Sequence, residues 1–385
     1  MRRTAPFALS VATLLVTSLA QTPAHAAAPA NFDAQVRKAA LQVMKDNGIA
    51  GLAIAVTDNG EQHFYNFGVA SKQNKQPVSS DTLFEIGSVS KTFTATLAGF
   101  AQAAGKLKLE DSPTRYIKEL RGSALDKVTL TQLATHVTGG FPLQLPDEVK
   151  TPQQLTDYYK NWQPQYPADT QRSYANPSVG LLGIATARAL DVPFKTALQR
   201  NVFAPLGLSN THIDVPVTRQ ATYAQGYDKD DAPVRVNPDQ IADEAYGVKS
   251  SSRDLLRFVQ IQLGEIKLGA KLQAAVDATR TGYYQVGPMT QDLIWEQYAY
   301  PPKLADLQQY NGSRMVLESQ PVTALRKPLP PQQDVWVNKT GATGGFGAYV
   351  AFVPSRHRGI VILANRNYPN EVRVKLAWDI LSKLN

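Results

Sequence analysis

A serine, a lysine three residues after it, a distant tyrosine and a second lysine beside a glycine run are the residues of this chain best suited to covalent catalysis. The first group is Ser88-Val89-Ser90-Lys91. It stands where an apolar helical pattern begins, so the serine and lysine project from one face. A serine hydroxyl at its ordinary pKa is a weak nucleophile and needs a neighbour to take its proton. Lysine titrates at about 10.4 in water. Burial and a nearby cation lower that value and turn lysine into a base. The helix N-terminus adds backbone N–H groups that suit a developing oxyanion. Ser-x-x-Lys occurs in the sequence only at Ser88. Taken alone, it fits a helix cap and a solvated lysine equally well.

Two further groups suit the same chemistry. Ser173-Tyr174-Ala175-Asn176-Pro177 reads as a loop that feeds an apolar, glycine-containing helix. A loop on a rigid scaffold is a common place to present a reactive side chain. Tyr-x-Asn also occurs at Tyr159 and Tyr368, so context, not the triplet, singles out Tyr174. Flanked by lysines, a tyrosine can be held as phenolate and act as a base. Otherwise it is a half-buried tyrosine with a bonded hydroxyl. The third group, Lys339-Thr340-Gly341, continues as Ala342-Thr343-Gly344-Gly345-Phe346-Gly347. Four glycines within seven residues before a strand imply that another group approaches the backbone closely. Lys339 and Thr340 there suit an anionic substrate, and the Ala342 N–H suits an oxyanion. The bland alternative is a glycine-rich turn with a stray lysine.

These groups need elements to hold them. Val36, Ala39 and Val43 recur at helical spacing, and Asn47-Gly48 stops the pattern. Residues 52–56 and 64–69 read as a hairpin turned by Asp58-Asn59-Gly60. Residues 348–353 and 360–364 read as two more strands, and a last helix is expected over residues 371–384. Strands at both chain ends, each beside a terminal helix, predict one antiparallel sheet covered by helices. The middle reads differently, with helical patterns over residues 88–104, 130–136, 152–162 and 177–190. The expected fold is α+β within the broad α/β class: an antiparallel sheet flanked by helices, plus a mostly helical subdomain. The sheet part is expected over residues 27–105 and 215–385, and the helical part over residues 106–214. The Pro-rich stretch 325–333 is expected to be a surface connection.

Taken in order, Ser-x-x-Lys, Tyr-x-Asn and Lys-Thr-Gly resemble the serine β-lactamases and penicillin-binding proteins, and specifically class C. Longer strings carry the resemblance further: Gln144-Leu145-Pro146-Asp147-Glu148-Val149, Ala245-Tyr246-Gly247-Val248-Lys249-Ser250, the Lys339–Gly347 run and Asn365-Arg366-Asn367-Tyr368-Pro369-Asn370. The resemblance covers essentially the whole chain after the leader described below. It implies the β-lactamase/transpeptidase fold and the hydrolysis of β-lactams by way of an acyl-enzyme on Ser88. Lys91 and Tyr174 would share the base work. Gln144 and Asn176 would bind the substrate's amide side chain. Lys339, Thr340 and Gly341 would lie across the site. The N–H groups of Ser88 and Ala342 would form the oxyanion hole. Asn370 and Arg373 match positions associated with the substrate carboxylate. Asn338 and Ala348 depart from the expected pattern.

Other chemistries fit less well. A Ser-His-Asp hydrolase would need a Gly-x-Ser-x-Gly elbow, which the sequence lacks. Without cysteine, and without closely spaced histidines, no metal site or other cofactor is expected. A DD-peptidase or esterase on the same fold would share all three motifs. A penicillin sensor would be acylated and never released. Lys and Arg are scattered, so nucleic acid is not an expected partner. The formal net charge is +8, and a mild excess of this kind keeps a protein soluble. The expected partners are small β-lactam molecules, bound by a monomer with no stable membrane association.

The N-terminus reads as an export signal. Arg2 and Arg3 precede an apolar stretch over residues 5–20, and Ala24-His25-Ala26 supplies small residues at the cleavage positions. Residues 1–26 are therefore expected to be removed, leaving a periplasmic protein that begins at Ala27. N-terminal sequencing of exported protein should read from Ala27; a chain still beginning at Met1 would refute the cleavage.

Overall fold

Apolar alternation at the two ends of the chain builds one sheet. The computed structural model describes Met1 and residues 31–384; the segment expected to be an export signal otherwise falls outside them. Helix α1 (Phe32–Asn47) stops at Gly48, whose φ of 61° is the left-handed cap that glycine adopts freely. Strands β1 (Gly51–Asp58) and β2 (Glu61–Gly68) form a hairpin. Asn59 and Gly60 both have positive φ, at 51° and 85°, the two-residue turn whose twist matches the strands.

A 3₁₀ turn at Gly87–Val89 runs straight into α2 (Ser90–Ala103). The helix expected from Ser88 thus begins with a tighter turn. Helices α3 (Leu130–Thr135), α4 (Pro152–Asn161) and α5 (Asn176–Leu190) follow. Then come α6 (Ser252–Gln262) and α7 (Ala270–Thr279). The chain returns to the sheet through β3 (Gly282–Val286), β4 (Met289–Asp292) and β5 (Glu296–Ala299). It ends with β6 (Thr323–Leu329), β7 (Val335–Thr343), β8 (Phe346–Val353), β9 (Arg358–Ala364) and α8 (Asn370–Leu381).

These nine strands form one antiparallel sheet in the order β6-β3-β4-β5-β7-β8-β9-β1-β2. The first strand therefore pairs with the last, Ile54 opposite Ile362. The stretch 325–333, expected as a connection, instead supplies the edge strand β6 over its first part. Its exposed face and internal Pro328 fit an edge, where one side of the ladder stays unpaired.

Both faces of the sheet are buried. Leu52, Ile54 and Val56 of β1 point with Ile360 and Ile362 of β9 towards α1 and α8. Ala53 and Ala55 point with Val350, Phe352, Val361 and Leu363 towards α2 and α6. Helix α2 is enclosed: Phe93 and Leu97 face the sheet, while Ala95, Ala98 and Ala101 face the helical layer of α3, α4 and α5. No described helix is long and apolar enough to cross a membrane.

Where α2 begins, it meets β7 backbone to backbone. A Cβ on Gly341 would overlap the carbonyl oxygen of Ile86 and crowd the backbone nitrogens of Val89 and Ser88. A Cβ on Gly87 would overlap the Ala342 backbone, and Gly87 also has a φ of +50°. Either substitution forces strand and helix apart. Gly341→Ala should cost about 1–3 kcal/mol, the usual penalty for overpacking, and should depress activity more than stability. Urea melts and turnover rates check this; wild-type values in both would show that the approach is not tight.

Candidate active site

Because α2 is buried on all sides, Lys91, its second residue, is dry. Lys91 is fully buried. Its ammonium lies 2.9 Å from Ser88 Oγ, 2.6 Å from Asn176 Oδ1 and 2.9 Å from the carbonyl oxygen of Ala245. Asn176 in turn donates from Nδ2 to Gln144 Oε1 at 2.8 Å. Burial lowers the Lys91 pKa to about 8, opposed by Tyr174 and assisted by the charge of Lys339. A neutral lysine has two N–H donors and one lone pair. Asn176 and Ala245 offer two carbonyl oxygens for the donors, which leaves the lone pair for the Ser88 hydroxyl.

Tyr174 follows a short strand, Gln171–Arg172, and precedes α5. Its ring is surrounded by cations: Lys91 Nζ lies 5.3 Å from the ring centre, Lys339 Nζ 5.1 Å and Arg172 Cζ 5.3 Å. Burial pushes its pKa up, but the charges of Lys339 and Lys91 outweigh this and lower it to about 8. The phenol oxygen is buried and closes no hydrogen bond of good geometry, although Ser88 is near enough to help lower the pKa. Arg172 is itself committed, donating to Glu296 Oε1 at 2.8 Å, Gln291 Oε1 at 2.7 Å and the Met315 carbonyl at 3.0 Å.

An open cleft of about 1130 Å³ lies above these groups. Ser88, Gln144, Tyr174, Asn176, Thr340, Gly341, Ala342 and Asn370 all line it. Two arms of the site, α2 and β7, thus converge on one space, with the loop before α5 closing a third side.

The chain is similar in sequence and fold to known proteins. The family model described as "Beta-lactamase" matches residues 36–385. A β-lactamase of Lysobacter lactamgenus is 47% identical over 381 residues, covering 99% of this chain and 98% of the relative. A solved β-lactamase/D-alanine carboxypeptidase from Pseudomonas syringae is 55% identical, with a TM-score of 0.90 over 92% of this chain and 99% of its own. A solved class C β-lactamase in complex with cefoxitin is 46% identical, with a TM-score of 0.89 and coverages of 92% and 99%. This chain belongs to the class C serine β-lactamases.

Within that family frame, three of the residues singled out in the sequence do not line the cleft. Lys91 and Lys339 lie beneath its floor, Lys339 donating to the Thr340 carbonyl at 3.1 Å. Arg373 is wholly buried beneath β7. Its guanidinium donates to the carbonyl oxygen of Gly341 at 2.7 Å, to Asn367 Oδ1 at 2.6 Å and to the Tyr368 carbonyl. These acceptors hold Arg373, which the resemblance associates with the substrate carboxylate, under the strand and out of the cleft lining. Asn370 faces the cleft, with Nδ2 held by the Asn311 carbonyl at 3.0 Å.

Sequence reasoning gave no role to several other residues, including Ala245 and Tyr246 of the string that carries the resemblance. The Ala245 carbonyl left no signal, being backbone. Tyr246 and the 234–237 segment wall the cleft. Buried Glu85 secures that wall, accepting from the Val236 N–H at 2.8 Å, the Tyr223 hydroxyl at 2.5 Å and Thr343 Oγ1 at 2.5 Å.

The charges around Tyr174 give a pH dependence. Lys91 and Tyr174 titrate as a pair near 8, and below that value neither can accept a proton. Hydrolysis of a chromogenic cephalosporin should therefore fall on the acid side, along a limb at or below about 8. Lys339→Gln removes a cation that favours the phenolate, so its limb should move to higher pH. An unmoved limb in the pH profile of kcat/KM would remove Lys339 from the electrostatics of Tyr174.

Proposed function

We propose that this chain is an exported enzyme that opens β-lactam rings through an acyl-enzyme on Ser88, with cephalosporins as its favoured substrates. The observation that carries the reading is Lys91 Nζ, dry and 2.9 Å from Ser88 Oγ. Neutral Lys91 takes the hydroxyl proton while Ser88 Oγ attacks the lactam carbonyl. The backbone N–H groups of Ser88 and Ala342 receive the oxyanion. As the C–N bond breaks, the ring nitrogen takes a proton passed through Lys91 and Tyr174. Water then attacks the ester and gives its proton to the Tyr174 phenolate; as the ester C–O bond breaks, that proton passes to Ser88 Oγ, which restores the hydroxyl and the phenolate. Gln144 and Asn176 hold the amide side chain of the substrate. Lys339, Thr340 and Asn370 lie on the side that receives its carboxylate. Export rests on Arg2, Arg3 and the Ala24-His25-Ala26 site, which lead to a periplasmic product.

A second reading has a specific support. The Pseudomonas syringae relative carries the names of both a β-lactamase and a D-alanine carboxypeptidase. A D-alanyl peptide also offers an amide carbonyl and a carboxylate to the same cleft. Release of D-alanine from such a peptide, lost in Ser88→Ala, would establish that activity beside the first.

Ser88→Ala should abolish turnover and leave the fold intact. Intact mass spectrometry with a slowly hydrolysed β-lactam should place the adduct on the Ser88 peptide; an adduct elsewhere overturns the assignment. Tyr174→Phe should lower kcat by ~10²–10⁴-fold, the usual loss on removing a general base. Its melting temperature should hold, because the deleted hydroxyl closes no hydrogen bond. Near-normal cephalosporin turnover in Tyr174→Phe would leave Lys91 as the sole base.

A further inference from the structure

The mechanism above leaves one buried titratable side chain at the site without a role. His136 ends helix α3, is almost wholly buried, and holds a φ of +63°. Non-glycine residues enter that left-handed region at a cost, with histidine among the types that do so more readily. The strain puts its imidazole against Tyr174. The two ring centres are 4.5 Å apart, with planes inclined at 41°.

His136 also grips the backbone on both sides of that tyrosine. Its carbonyl oxygen accepts from the Ser173 N–H at 2.9 Å. Its Nδ1 accepts from the Ala175 N–H at 3.3 Å. One residue thus bonds to both chain neighbours of Tyr174 and packs on the ring between them. The helix beneath is secured too: Thr129 and Gln132 form a capping box at its start, and Gln132 Nε2 donates to Asp169 Oδ1 at 2.9 Å, on the segment leading to Tyr174.

The site needs this histidine uncharged. Nδ1 must keep its lone pair to accept from Ala175, which places the ring proton on Nε2. The charged groups facing it are Arg172 on the Tyr174 segment, Lys91 on α2 and Lys339 on β7, with the Tyr174 phenol against the ring. An imidazolium would be a fourth cation there. Burial first, and then those three charges, hold its pKa well below the ordinary histidine value.

We propose that His136 is the positioning residue for Tyr174: as a neutral imidazole it fixes both the ring plane and the flanking backbone, and so sets the phenol's distance from Lys91 and Lys339. The inference rests on the reading of Tyr174 as the proton carrier. It makes His136 a part of the machinery that never touches substrate.

Two variants separate its functions. His136→Phe keeps a ring and loses the acceptor. His136→Asn keeps a side-chain acceptor, suits positive φ and loses the ring. Tyr174→Phe is the control. Melting curves by circular dichroism fix a temperature at which all three are folded. With a chromogenic cephalosporin, each His136 variant should then lose roughly 10–100-fold in kcat, the scale of a small misplacement at a reacting group. KM should change little, and the acid limb of kcat/KM should move up as the phenol leaves the lysine charges. A merely structural role would lower the melting temperature and leave kcat and the limb in place; that result in His136→Asn overturns the proposal. If Tyr174→Phe itself retains turnover, the reading of Tyr174 falls, and His136 has no proton carrier to position.

Discussion

Everything in this site depends on one close approach of backbone to backbone. The turn at Gly87–Val89 lies against Gly341 and Ala342 with no space for a side chain between them. Only glycine at both positions lets the start of α2 reach β7. The contact brings Ser88, buried Lys91 and the Lys339 strand into one volume. The rest of the fold holds the two partners still: β7 is an interior strand of the nine-stranded sheet, and α2 is packed on every side. Arg373 adds a fixed point behind the strand by taking the Gly341 carbonyl.

Electrostatics follow from that geometry. Three cations surround one phenol, and such a cluster is tolerable only if part of its charge is answered. Glu296 answers Arg172 at 2.8 Å, both partners being buried. A buried pair adds little net stability, but removing either partner strands a charge and costs about 3–5 kcal/mol. With Arg172 so engaged, the two lysines remain to act on Tyr174. The uncharged His136 completes the surroundings without adding to the positive field.

Much of this was legible in the sequence, for physical reasons that can be named. Asn59-Gly60 admits a particular turn, and the turn fixed a hairpin. Ser88 and Lys91 stood at the head of an apolar helical pattern. The glycines after Lys339 announced a close approach, which β7 makes at Gly341. Residues 282–299 were not read as strands because buried Gln291, Asp292, Glu296 and Gln297 break the apolar alternation. Gln291 and Glu296 are buried against Arg172, far away in sequence, while Gln297 and Asp292 bond to each other. The edge strand β6 hid behind Pro328 and charged residues. His136 gave no sign of a supporting role in the sequence, since its bonds to Ser173 and Ala175 depend on tertiary packing.

The pairing of β1 with β9 has a kinetic meaning. Asp58 stands opposite Arg358, and the two side chains meet as an ion pair at 2.9 Å. Nearly the whole polypeptide must exist before the central strands of the sheet can close, and contacts so distant in sequence form slowly. Helix α8, which carries Arg373, arrives later still. A half-made chain therefore has no finished core in which to bury Lys91. Such late closure keeps the polypeptide pliable until its last residues have been made.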